Sequence, residues 1–190
     1  MNTNNFPQGC FYRNLKEKQL MIILNKQYRD VPAMIVYLSE DEIQEINRYS
    51  LQLTGEEEKF QVVQPDDIRF TIRFISEQFG KDIYRKALGY CVSLIVLHPF
   101  RNGNHRTSLL SAERFLQKNH CRPLATNTER IQLEKWRLPY EEKHELHREF
   151  FRITNIEDEK ARRNEIKKLM TSPYGIKILQ WFKKYNPNEL

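Results

Sequence analysis

His98-Pro99-Phe100-Arg101-Asn102-Gly103-Asn104-His105-Arg106-Thr107 lies between two apolar runs of helical spacing, and reading it as the loop between two helices decides the fold. Upstream, Ile83, Tyr84, Ala87, Leu88, Cys91, Leu94, Ile95, Val96 and Leu97 cover nearly every face by the end of the run, the pattern of a buried central helix. Pro99 disfavours the α conformation at the residue before it, so this helix ends at about Leu97 and His98 stands at its exit. Downstream, Leu109, Ala112 and Leu116 share a face with Leu110 and Phe115 beside them, which predicts a second helix over 107–118, ended by Asn119-His120.

The rest of the chain reads as further helices. Ser39-Glu40-Asp41-Glu42 is a capping box, with Leu38 and Ile43 at the positions of a hydrophobic staple, and it predicts a helix over 39–53. Phe60, Gln61, Val62 and Val63 form a short β-prone segment closed by Gln64-Pro65, read as a strand or flap. Asp66 or Asp67 is expected to cap a helix carrying Ile68, Ile72, Ile75 and Phe79, stopped by Gly80. Residues 141–153 and 157–170 are expected to be helical, and Pro173 to open a last helix with Ile176, Leu179 and Phe182. Trp136, Phe150, Phe151, Trp181 and Phe182 are aromatic enough for this tail to pack against the core.

Composition bounds the class. With 190 residues, 39% hydrophobic and 29% charged, the chain can bury one real core and is not a disordered polymer. Six glycines and eight prolines are too few for a turn-rich all-β protein, so an all-α fold is expected. Three cysteines, Cys10, Cys91 and Cys121, lack metal-ligand spacing and suit a reducing compartment. The first ten residues carry no basic n-region followed by an apolar core, and the longest apolar run, Cys91 to Leu97, is too short to span a bilayer. A cytoplasmic location without a membrane partner is the expectation. The net charge of +6 fits an anionic ligand, but the basic residues are interleaved with acids and no nucleic-acid-binding signature accompanies them, so nucleic acid is not expected as a partner.

The residues of the loop can hold an anion on one side and a proton-accepting imidazole on the other. Gly103 tolerates a left-handed backbone and Asn102 and Asn104 tolerate it better than most residues, so successive N–H groups can turn inward at the positive end of the following helix. A phosphate is the natural occupant, and Arg106 in the first turn can add a forked guanidinium. His98 supplies an imidazole able to accept a proton near neutral pH. Phe100 between them is expected to turn into the core and anchor the loop. Taken singly, each residue has an ordinary structural reading; their combination within nine residues favours a functional site. His144 and His147, with Glu141 and Glu145 nearby, have i, i+3 spacing, for which a solvated helix face is the expected reading.

The stretch resembles the Fic/Doc family (filamentation induced by cAMP, death on curing), whose motif runs His-Pro-Phe-x-Asp/Glu-Gly-Asn-Gly-Arg-x-x-Arg. His98, Pro99, Phe100, Gly103, Asn104 and Arg106 match in register. The resemblance implies an all-α, Fic/Doc-like helical bundle with a short β flap. Residues 1–37 would then be an N-terminal segment, 38–121 the core and 122–190 a helical extension packed on it. It further implies transfer of a phosphate or AMP moiety from ATP or another nucleoside triphosphate, with Mg²⁺, onto a Ser, Thr or Tyr hydroxyl of a protein. His98 would be the general base, with Arg101, Gly103, Asn104, His105 and Arg106 as the nucleotide- and phosphate-binding set. The acceptor would lie along the flap of Phe60, Gln61, Val62 and Val63.

Three departures qualify this. Asn102 replaces the acidic residue that helps hold Mg²⁺, and as a neutral amide is a weak ligand. His105 replaces a glycine, and Leu109 replaces the second arginine; both changes lean toward the Doc branch and γ-phosphate transfer. Members are often restrained by a Ser/Thr-x-x-x-Glu-Gly/Asn helix. Thr54 to Glu58 comes close, but Lys59 breaks it, and the segment reads as a charged helix end. A toxin-like member would then take its restraint from a separate antitoxin chain. The alternative is a degenerate, non-catalytic module that binds a nucleotide or a partner.

Overall fold

Burial of one helix on nearly all sides sets the architecture. The computed structural model describes residues 34–121 and 140–186. Expectations for residues 1–33, 122–139 and 187–190, Trp136 among them, lie outside the described residues. The described chain is helical: α1 (Glu40–Gln52), a 3₁₀ turn (Glu57–Lys59), α2 (Pro65–Glu77), α3 (Ile83–Leu97), α4 (Asn104–Lys118), α5 (Tyr140–His147), α6 (Phe150–Thr154), α7 (Glu159–Met170) and α8 (Pro173–Tyr185). No helix among the described residues is long and apolar enough to cross a membrane.

The central helix is α3. Asp82 caps it by accepting the Arg85 N–H at 3.0 Å, and every residue from Lys86 to Leu97 is buried. Helices α2, α4, α5, α6, α7 and α8 all pack on it, so Ile153, Ile166, Ile178 and Phe182 join the same core as Phe74, Leu94 and Phe115. Gly89 permits the close approach of α2, since a Cβ there would lie 3.0 Å from the Ile75 side chain. Helix α3 also carries a charge inward. Lys86, 1% exposed, donates to the carbonyls of Ile75 at 2.7 Å and Gln78 at 2.5 Å, satisfying the end of α2 where helical donors run out.

The capping box of α1 forms in full: Ser39 Oγ accepts the Glu42 N–H at 3.1 Å and the Ser39 N–H donates to the Glu42 carboxylate at 2.9 Å. Leu38 and Ile43 are both buried, as staple residues should be.

Several boundaries differ from the sequence reading. Pro65, not an aspartate, opens α2, because a proline needs no partner for its missing N–H; Asp66 and Asp67 fall within the first turn, where their charge offsets the helix dipole. Helix α4 begins at Asn104 rather than Thr107, because Gly103 takes the left-handed N-cap position. The helix expected over 141–153 is broken after His147. Phe151 does not pack: it is 75% exposed.

The expected flap strand is a single antiparallel bridge between Val62 and Phe100. The Arg101 N–H donates to the Gln61 carbonyl at 2.9 Å, and the Val63 and Gln64 N–H groups both donate to Pro99 at 2.9 and 3.1 Å. With Pro99 lacking an N–H and α2 starting at Pro65, the ladder has no room to continue on either side. Phe60 is half-buried against Phe100, with ring centroids 6.5 Å apart, and Arg48 covers its face.

Candidate active site

The loop after α3 is held at both ends by backbone that only unusual residues adopt. His98 is the left-handed C-cap of α3 at φ 54°, ψ 51°, and Gly103 is the left-handed N-cap of α4 at φ 78°. Phe100 between them is 1% exposed, so the expected anchor is in place. These two reversals bring the end of one helix and the start of the next to a common cavity of about 310 Å³. Its wall includes His98, Gly103, His105, Arg106, His144 and His147.

Asn104 is not a phosphate-facing side chain. It is buried, accepts the Phe100 N–H at 3.0 Å and donates to the Phe100 carbonyl at 2.6 Å, so both ends of its amide are spent bracing the loop. The loop is braced again from α1. Asn47 donates to the Asn102 carbonyl at 2.9 Å and to Thr107 Oγ1 at 2.8 Å. A Cβ on Gly103 would stand 3.0 Å from both the Asn47 amide nitrogen and Ser50 Oγ. No side chain caps the N-terminus of α4, so the first-turn N–H groups and the helix dipole remain directed to the cavity end of that helix.

Arg106, 21% exposed, is clamped from the segment after α1. It donates to Thr54 Oγ1 and, at 2.9 Å, to the Glu56 carboxylate. Glu56 also accepts from Lys59 at 2.7 Å and from the Asn102 amide at 3.3 Å. Hydrogen bonds from Lys59, Arg106 and Thr54 hold the Glu56 carboxyl down at about 2. Thr54 and Glu56, in a segment read from sequence as a charged helix end, therefore reach into the site. Arg101 is exposed and bonds Gln61 at 3.2 Å.

Asn102 does not suit the charged-oxygen role that a Mg²⁺ ion requires. Its side-chain oxygen already accepts the Gly103 N–H at 2.8 Å, and its nitrogen points to Glu56, a carboxylate committed to Arg106 and Lys59. The residues present do not fit that ion.

The histidines gather instead. The His98 ring lies 4.5 Å from His147, 5.3 Å from Phe150 and 6.0 Å from His105, centroid to centroid. His105 in turn lies 5.1 Å from His147 and 4.8 Å from His144. Burial, with the neighbouring His147 adding to it, pulls the His98 imidazole down to about 4; burial and the surrounding His144, His147, Lys143 and His98 pull His105 down to about 3. Both rings are neutral at pH 7.

His98 and Arg101 through Arg106, grouped in the sequence reading, line this one cavity, and that reading missed Asn47, Thr54, Glu56 and His147. Asn47 carried a signal: it lies four residues from both Ile43 and Leu51, on the buried face of α1. His144 and His147 carried their i, i+3 spacing, but nothing in the chain says which face of α5 meets the loop.

A neutral imidazole at a helix exit, an uncapped helix N-terminus and an arginine within one cavity make a place where a phosphorus-bearing group and a hydroxyl can meet. No curated protein and no solved structure matches the chain. Residues 37–116, which contain the capped start of α1, the flap segment, the whole loop and nearly all of α4, match the model of the Fic/DOC family.

Proposed function

We propose that the protein is a Fic-type transferase that moves a phosphate or AMP moiety from a nucleoside triphosphate onto a protein hydroxyl. The observation that carries this reading is the pairing of His98 and the uncapped α4 N-terminus across one 310 Å³ cavity. The match of residues 37–116 to the Fic/DOC family supports the same reaction class.

In this reading a ring nitrogen of His98 takes the proton from the acceptor hydroxyl. The freed oxygen forms a bond to phosphorus as the bond to the leaving group breaks: a nucleoside diphosphate departs when the γ-phosphate moves, and pyrophosphate departs when AMP moves. Backbone N–H groups at the start of α4 hold the phosphate oxygens, and Arg106 joins them once released from Glu56. Asn104 keeps the loop rigid through Phe100. No step is assigned to Mg²⁺ at Asn102.

The acceptor peptide is proposed to lie along the flap. The inner edge of that segment is used by Pro99 and Arg101, and strand alternation directs the N–H and C=O of Val62 to the opposite edge, where another chain can add. Leu109 is 2% exposed within the core and offers nothing to a donor phosphate, which favours γ-phosphate transfer over AMP transfer.

A second reading is a nucleotide- or partner-binding module without chemistry. The clamp on Arg106 and the missing carboxylate at Asn102 favour it. One experiment separates the two: wild-type and His98→Ala protein with host lysate and ATP labelled at the α- or γ-phosphate. Protein-bound label that needs His98 supports transfer, its position naming the group moved. Nucleotide binding without any label supports the module.

A further inference from the structure

We infer that His98, His105 and His147 form a binding site for a single divalent transition-metal ion of the zinc type. One candidate nitrogen on each ring lies within 4.8 Å of those on the other two. Around a tetrahedral ion with metal–nitrogen bonds of about 2.0–2.1 Å, ligand nitrogens stand about 3.3 Å apart. Small rotations of side chains that line a cavity close that gap without moving the helices.

Three observations point to a ligand rather than to packing. His147 Nδ1 is buried and has no hydrogen-bond partner, so an imidazole lone pair or N–H is held away from water with nothing to satisfy it. The three rings come from three different places: the end of α3, the first turn of α4 and the end of α5. Independent elements rarely converge imidazoles on one point unless something there binds them. The set also has the right chemistry, since imidazole nitrogens suit zinc and its neighbours, whereas the oxygen ligands that Mg²⁺ or Ca²⁺ prefer are lacking here.

Two cations adjoin the site, and buried Lys143, which acts on His105, is the one the ion must tolerate. Arg106 in the cavity wall is neutralised by Glu56. Three protein ligands leave a fourth position open to the cavity, which a water or a phosphate oxygen held at the start of α4 can take. The His144 ring lies 4.8 Å from that of His105, and His144 is not one of the three.

One consequence rests on the proposed transfer reaction. A metal on His98 occupies the lone pair that the general base would use, so the metal-bound state is the inactive one. The metal site itself does not depend on any activity.

The test uses the full-length chain free of added histidines, stripped with chelator and titrated with Zn²⁺ by calorimetry and with Co²⁺ by visible absorption. One ion per chain is expected, with cobalt bands of a four-coordinate site. His147→Gln, His98→Gln and His105→Gln should each weaken binding by at least about a hundredfold, since losing even an outer-shell partner costs ten- to a hundredfold. His144→Gln should keep one ion.

Absence of stoichiometric binding to the wild type overturns the site, as does binding that survives His147→Gln. On wild-type protein alone, Zn²⁺ should shield His98, His105 and His147 from diethylpyrocarbonate, read by mass spectrometry. Unchanged modification of all three overturns the inference even if a variant fails to fold. A chain that transfers phosphate but ignores zinc defeats this inference only, and a zinc-binding chain that labels nothing defeats only the transfer reading.

Discussion

Glu56 holds Arg106: the guanidinium reaches across from the first turn of α4 and donates to the carboxylate at 2.9 Å, with Thr54 beside it. An arginine committed in this way is not free for a phosphate. Glu56→Gln removes the charge that holds it, and an ion pair screened by solvent restrains the arginine only weakly. ATP affinity measured by calorimetry should therefore rise by about two- to fivefold. No rise in Glu56→Gln, together with no loss in Arg106→Ala, would show that Arg106 never meets the phosphates.

The same contact has a pH signature. The Glu56 carboxyl is held down at about 2 by Lys59 and Arg106, below its ordinary value of 4.5. A depressed carboxylate contributes stability in full above its unfolded value and loses it as pH falls through the folded one. The difference in urea midpoint between wild type and Glu56→Gln should be constant above pH 4.5 and shrink as pH falls toward 2. A difference unchanged across that window would mean that the carboxylate is not bound to the cations.

Gly103 tests the backbone of the loop. Its φ of 78° disfavours any side chain, and a Cβ would press on Asn47 and Ser50 at 3.0 Å. Gly103→Ala should cost about 1–2 kcal/mol for the left-handed conformation, with crowding added, in chemical denaturation. Equal stability would mean that α4 can start elsewhere.

Asn104 tests the brace. Asn104→Ala leaves the N–H and C=O of buried Phe100 without partners, a loss of about 2–3 kcal/mol. The variant should also be poorer in any His98-dependent labelling than its remaining folded fraction accounts for. Labelling that tracks the folded fraction alone would reduce Asn104 to a structural role.

Lys86 tests the join of α2 to α3. Lys86→Met fills similar space but strips the donor from two carbonyls at the end of α2, and should lower stability by about 1–3 kcal/mol. An unchanged midpoint would mean that water replaces the ammonium.

Much of this was legible along the chain because it is local. The α3 run, Pro99 after His98, the Ser39–Glu42 box and the glycine before α4 each act within a few residues, through periodicity, capping and φ preference. Asn104 was legible as a loop residue but not in its contacts, because an amide can face a ligand or its own loop with equal ease. Its two bonds to Phe100 exist only once the loop has folded back. The flap shortened from a strand to one bridge for the same kind of reason, since the partner segment around Pro99 offers few donors.

The sequence by itself determined a helical chain with a glycine turn behind a histidine, since spacing and backbone preference are properties of neighbours. Only the tertiary structure decided that Glu56 would clamp Arg106 and that α5 would bring His147 against His98. Those contacts join residues about fifty positions apart, and what selects them is how whole helices bury their apolar faces around α3. No short stretch of sequence encodes that choice.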